Sequence, residues 1–341
     1  MRSIIIPPDA KYRAPFWLPG GNLQTLWPLA IEGALPAYRR ERWTTPDDDF
    51  IDLDWVDVQA SESPVPTVVL FHGLEGSSAS HYARALMRAV ATRHWRGVVV
   101  HFRGCSGEPN QLVRSYHSGD SAEVNWILRR LKESLGTALF ATGVSLGGNA
   151  LLKWLGEQEQ AANSIVTAAA AVSAPLDLAL ASRTLTKGFN RVYTNNFLKT
   201  LIPRALAKHR RFPGVIDEPR LKKARTLADY DNAVIAPVYG FANADDYYAK
   251  CSSKQLLGMV RVPTLILNAA NDPFLPASAL PATSEVSSAV QLDIPPYGGH
   301  VGFVSPTFPG NLAWLPQRLL AHFDAHLPAD LHLSAPDCYM P

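Results

Sequence analysis

Gly143-Val144-Ser145-Leu146-Gly147 follows the apolar run Ala138-Leu139-Phe140-Ala141 and precedes a helix-like segment, Asn149 to Glu157. A serine between two glycines at a strand-to-helix junction reads as a nucleophile elbow. Side chains two positions either side of the serine would strike the neighbouring strand and helix, and glycine at both places removes them. Ser145 is then held in a strained backbone with its hydroxyl outward. The helix starting near Gly147 aims its positive end at the same point, where an oxyanion would form. The predicted site is hydrolytic.

Working outward, short apolar runs recur with amphipathic segments between them. Two strands are predicted near Glu41–Thr45 and Ile51–Val58, turning at Pro46-Asp47-Asp48-Asp49. Further runs are Thr67–Phe71, Gly97–Phe102, Ala138–Gly143, Ile165–Val172, Pro263–Asn268 and Val290–Ile294. Helical periodicity marks Ser80–Arg93, Asp120–Ser134, Gly147–Gln160 and Ala313–His326. This pattern predicts an α/β chain, with a mostly parallel sheet covered by helices on both faces. The alternation lapses between Pro175 and Met259, too long a stretch for a simple connection. We therefore expect a core from 1–175 and 260–341, interrupted by a cap over 176–259. Residues 1–38, rich in proline and aromatics, read as an irregular segment packed on that core.

Bulk properties narrow the field. The 341 residues are 47% hydrophobic and 18% charged, values that exclude a disordered chain, and the net charge of +2 gives nucleic acid no general attraction. Arg183–Arg225 nonetheless holds twelve lysines and arginines against Asp217 and Glu218. We expect a solvated cap surface there; attraction to anionic headgroups, hence weak peripheral membrane contact, is the alternative. Phe189, Tyr193, Phe197, Leu198, Leu201 and Ile202 within the stretch read as core-facing cap residues. Cys105, Cys251 and Cys338 are too few and too scattered for a disulfide framework and suit a cytoplasmic setting. No signal peptide or transmembrane-length run is read, and the terminal Cys338-Tyr339-Met340-Pro341 fits a prenylation signal poorly. Oligomeric state is left open.

A serine hydroxyl needs a histidine to take its proton and a carboxylate to fix the imidazole tautomer. Downstream of Ser145, Asp272 stands on the loop after the Leu265–Leu267 strand, and His300 follows Gly298-Gly299 after the Val290–Ile294 strand. A helix cap is the plain role for Asp272, and Asp177 is its competitor for the acid. The oxyanion donors are assigned to the N–H of Leu146 and, from His72-Gly73-Leu74-Glu75-Gly76, the N–H of Leu74. His322 and His326 stand four apart but lack a metalloprotease pattern and read as a surface pair. Cys105 reads as packing. Neither a G-x-G-x-x-G nor a Walker sequence occurs, so nucleotide chemistry has no support, and no metal site is expected.

On these residues the chain resembles the α/β-hydrolase superfamily and, more narrowly, its YheT-type esterase branch. The narrower resemblance is carried by Asn22-Leu23-Gln24-Thr25-Leu26, His72 to Gly76, and Phe102-Arg103-Gly104-Cys105-Ser106-Gly107-Glu108-Pro109-Asn110, with the Ser145 elbow and Asn271-Asp272-Pro273-Phe274. The resemblance implies an eight-stranded sheet, a Ser-Asp-His triad and cytosolic carboxylic-ester hydrolysis without a cofactor. Eukaryotic relatives of the wider group resemble lipid-acting hydrolases; membrane-anchored ones begin with an apolar helix not read here. Cleavage of short- to medium-chain acyl esters of small molecules or lipids is the expected activity. Thioesterase or lysophospholipase activity is the first alternative. A hydrolase-fold binding protein without catalysis is the second.

Overall fold

The computed structural model describes residues 11–31, 33–57 and 64–332, so the expectations for the first residues and for Cys338 lie outside the described residues. Eight strands form: β1 (Arg39–Thr44), β2 (Phe50–Val56), β3 (Thr67–Phe71), β4 (Arg96–His101), β5 (Leu139–Val144), β6 (Ala168–Val172), β7 (Thr264–Leu267) and β8 (Val290–Asp293). Their order in the sheet is β1-β2-β4-β3-β5-β6-β7-β8. Pairing from β4 to β8 is parallel, and β2 joins β1 and β4 antiparallel. The sheet is therefore the mostly parallel one expected.

Alternation within the apolar runs sends side chains to both faces. Val69, Phe71, Val98 and Val100 pack with α3 (Ser121–Leu135) and α4 (Leu146–Gln158), while Val68, Leu70, Val99 and Phe140 pack with α2 (His81–Thr92) and α11 (Trp314–Asp324). Each such fully buried side chain contributes roughly 1.5–3 kcal/mol. From β3 the chain crosses to β4 on one side and later to β5 on the other. That reversal opens a crevice beyond the carboxyl ends of β3 and β5, where α/β proteins place ligands. Phe71 and Gly143 are register partners, so the loops after both strands emerge side by side.

The stretch between β6 and β7 is helical. It comprises α5 (Leu178–Leu185), α6 (Arg191–Arg211), α7 (Glu218–Lys223), α8 (Leu227–Tyr230), α9 (Ala236–Tyr239) and α10 (Ala244–Cys251), with its own small apolar clusters.

Two expectations need correction. Residues 1–38 are not wholly irregular, because α1 (Gly21–Leu26) runs into a 3₁₀ turn, Trp27–Leu29. Six residues are too few to show a helical period. Nor are His322 and His326 a surface pair. His322 is buried and donates from Nε2 to Ala169 O at 3.1 Å, and His326 Nδ1 lies 2.8 Å from His322 O. A buried histidine is tolerated here because β6 offers it a carbonyl.

Burial holds four imidazoles neutral: His72 is pushed down to about 3, and His81, His117 and His322 to about 4. An unfolded histidine takes up its proton at about 6.5, so below that pH the unfolded chain binds more protons than the folded one. The histidines' contribution is then complete above about pH 6.5 and falls as pH drops toward 4; it outweighs the opposite change from Glu123 and Asp231, whose carboxyls burial raises to about 7, and leaves a net loss of several kcal/mol. Urea unfolding at stepped pH should show this loss. A flat profile between about pH 6.5 and 4 would contradict neutral burial.

Candidate active site

Ser145 sits between β5 and α4 with φ 52° and ψ −120°, a conformation costing a non-glycine residue about 1–3 kcal/mol. The crowding around it explains the flanking glycines. A Cβ on Gly143 would come within 2.4 Å of Gly147 O, and one on Gly147 within 2.4 Å of Phe71 O. The Ser145 N–H is held by Val172 O at 2.8 Å, which ties the elbow to β6.

The loops after β7 and β8 bring two distant residues to the serine. His300 Nε2 lies 3.0 Å from Ser145 Oγ, and His300 Nδ1 lies 2.8 Å from Asp272 Oδ2. A carboxylate only accepts, so Nδ1 carries the proton and Nε2 is left to accept from the serine hydroxyl. Asp272 is buried and its Oδ1 accepts from Phe274 N–H at 2.8 Å. The Phe274 ring stacks on His300 at 4.0 Å between centroids and fixes the imidazole plane. Asp177 is elsewhere employed: it caps α5, accepting from Leu180 N–H.

On the β3 loop, the N–H of Gly73 goes to Tyr82 Oη, that of Glu75 to Tyr116 Oη, and that of Gly76 to Gly73 O. Leu74 N–H has no acceptor among the described residues. Leu146 N–H, at the first position of α4, has no intrahelical acceptor either. Both residues line the cavity that holds Ser145 and His300. His72 braces the loop from beneath, donating from Nδ1 to Gly73 O at 2.7 Å and accepting Phe102 N–H at Nε2.

Sequence reasoning gave α1 no role at this site, yet it carries the histidine loop. Gln24 Oε1 accepts from Gly298 N–H at 2.8 Å and from Asn271 Nδ2 at 3.0 Å, while its Nε2 donates to Leu18 O. Thr25 Oγ1 accepts the N–H of His300 itself at 2.8 Å. The Asn22–Leu26 block, quoted above only as a resemblance, was the available signal. Gln24→Ala should leave buried groups unpaired and cost roughly 1–3 kcal/mol of stability. By loosening His300 it should also lower kcat by about tenfold or more with KM little changed. Loss of stability with kcat intact would confine Gln24 to a structural part.

The cavity encloses about 330 Å³. Leu178, Leu185, Phe197, Leu201 and Phe274 make much of its wall apolar. The basic stretch is less solvated than expected. Arg204 pairs with Glu75, Arg211 donates to Asn110 O and Gln111 O, and Lys208 Nζ bonds Asn110 Oδ1 and the carbonyls of Leu112, Val113 and Arg114. These three cations tie α6 to the loops after β3 and β4, because loop carbonyls shielded from water need donors. Phe189, expected to face inward, is about half exposed at 51%. In the Arg103–Asn110 block, buried Arg103 holds Asp47, Asp49 and Glu123 together. Burial pushes the Cys105 thiol up to about 12, so it stays protonated. No group of histidine, cysteine and carboxylate side chains suited to a metal occurs among the described residues, and none of their helices is long and apolar enough to cross a membrane.

Residues 66–306 match the alpha/beta hydrolase fold family. The chain is 41% identical over 283 residues to "Putative esterase YheT" of Escherichia coli (strain K12), covering 82% of each. It is 31% identical over 313 residues to the Bos taurus "Phospholipase ABHD3", covering 89% of this chain and 76% of that protein. Among solved structures, the Pyrococcus furiosus esterase Pf2001 shares the fold, with a TM-score of 0.52 and 15% identity over 88% of this chain and 95% of that one. An elbow serine at the switch point of an eight-stranded sheet, together with these likenesses, assigns the chain to the alpha/beta hydrolase family and within it to the YheT-type branch.

Proposed function

We propose that the protein is a serine hydrolase that cleaves carboxylic esters, most readily those with short to medium acyl chains. The observation that carries this is the hydrogen-bonded line Ser145 Oγ, His300 Nε2, His300 Nδ1, Asp272 Oδ2, with links of 3.0 and 2.8 Å at an apolar cavity. Ser145 Oγ attacks the ester carbonyl while His300 Nε2 takes the hydroxyl proton. Asp272 stabilises the imidazolium so formed. The N–H groups of Leu146 and Leu74 receive the oxyanion; each such donor is worth about 2.7–4 kcal/mol in the transition state. His300 returns the proton to the leaving alcohol, then activates water to release the acid and restore the serine. An apolar wall of Leu178, Leu185, Phe197 and Leu201 suits an acyl chain.

A lipid substrate is the second reading, favoured by that apolar wall and by the relative named a phospholipase. A panel of nitrophenyl esters of graded acyl length tests the first, with lysophospholipid and acyl thioester run alongside. We expect turnover of the short and medium esters, and covalent labelling by a fluorophosphonate. Labelling absent and no ester cleaved above background would leave a binding protein as the better description.

A further inference from the structure

The stretch between β6 and β7 contributes to the cavity an ionisable group that ester hydrolysis does not require. After α8 the chain makes a single π turn, Asp231–Ile235, a local irregularity common at functional sites. Asp231 lines the cavity, as do Tyr230, Tyr247 and Tyr248. Its Oδ2 accepts from Tyr248 Oη at 2.6 Å, and Tyr248 Oη lies 3.0 Å from Ser182 Oγ. A phenol has one proton to give, so Tyr248 donates to the carboxylate and Ser182 donates to Tyr248.

Asp231 forms no ion pair among the described residues. The cations that share the cavity are committed elsewhere: Arg103 to Asp47, Asp49 and Glu123, Arg204 to Glu75, and Lys208 and Arg211 to the loop 110–114. Desolvation pushes the Asp231 carboxyl up to about 7, against the hydrogen bond from Tyr248, which by itself lowers it. A carboxylate placed in this way opposes stability, because desolvation is not repaid by a counter-charge. What it suits is a positive group that arrives with the ligand. The tyrosines whose hydroxyls feel its charge, Tyr230, Tyr247 and Tyr248, also supply aromatic surface, and a carboxylate among aromatic rings is the chemistry that holds alkylammonium ions.

We propose that Asp231, with Tyr230, Tyr247 and Tyr248 around it, forms a subsite for a cationic nitrogen on the alcohol portion of the substrate. The proposal rests on the ester-hydrolase reading and narrows its substrate class to esters of ammonium-bearing alcohols.

The test compares the butyrate ester of 2-(trimethylammonio)ethanol with its uncharged isostere, 3,3-dimethylbutyl butyrate. In the native protein kcat/KM should favour the cationic ester by about tenfold or more. In Asp231→Asn the ratio should fall to within about twofold of unity, and tetraethylammonium should inhibit cleavage of the neutral ester by the native protein far more than by the variant. A native ratio at or below one overturns the subsite, as does a ratio that Asp231→Asn leaves unchanged. Fluorophosphonate labelling of Ser145 reports whether the variant is folded; should it be lost, the native ratio decides alone. If the native protein cleaves neither ester and is not labelled, the hydrolase reading itself fails, and the subsite with it.

Discussion

Ser145→Ala should lower kcat for every ester the native protein cleaves by a factor on the order of 10⁶, with KM nearly unchanged. The loss is this large because, in the proposed mechanism, the hydroxyl 3.0 Å from His300 Nε2 is the atom that would form the acyl-enzyme, and no neighbour replaces it. Cys105 cannot, since burial keeps its thiol protonated, with a pKa pushed up to about 12. Residual catalysis of roughly 10³-fold over water should survive from the N–H donors and from binding alone. Because serine and histidine act as one unit, Ser145→Ala combined with His300→Ala should be no slower than Ser145→Ala alone. Alanine keeps the Cβ and changes no close backbone contact of the elbow, so the fold should be retained. Steady-state kinetics on nitrophenyl butyrate and fluorophosphonate labelling check this. An alanine variant within tenfold of native would remove Ser145 from the mechanism.

The parts of this site that sequence made visible are those whose physics is local. The elbow is encoded by Gly143 and Gly147 because a Cβ at either would meet backbone only 2.4 Å away. The parallel strands are encoded as continuous apolar runs because both faces of the sheet are buried. What stayed hidden depends on contacts between segments far apart in the chain. Gln24 and Thr25 lie more than 270 residues from the loop they hold, and a six-residue helix shows no periodicity to announce it. Lys208 and Arg211 look like surface charge until the carbonyls of 110–114 are seen to face them. His322 looks like a helix-surface residue until Ala169 O is found beneath it. Asp231 carries no sequence signal, since its character comes from the cavity and not from its neighbours in the chain.

The acid is the position where two sequence candidates remained, and their substitution should separate them sharply. Asp272→Asn should lower kcat by a factor on the order of 10⁴ while leaving the fold intact. The amide would be oriented by its surroundings. Phe274 N–H donates to Asp272 Oδ1 at 2.8 Å, so the asparagine carbonyl oxygen stays there and its NH₂ turns toward His300. An NH₂ only donates, so His300 Nδ1 must accept, and the ring proton moves to Nε2. Nε2 then faces Ser145 Oγ with a proton of its own and cannot take the hydroxyl proton, which is why an isosteric change does so much. Asp177→Asn should do almost nothing. Asparagine serves as well as aspartate at a helix N-cap, and the bond to Leu180 N–H survives, so kcat should stay within about twofold and stability within a few tenths of a kcal/mol. Steady-state kinetics on the two variants side by side decide the matter. A large loss in Asp177→Asn with Asp272→Asn near native would move the acid to Asp177, in the segment between β6 and α5, and would mean that the 2.8 Å contact between His300 and Asp272 is not the one that fixes the tautomer.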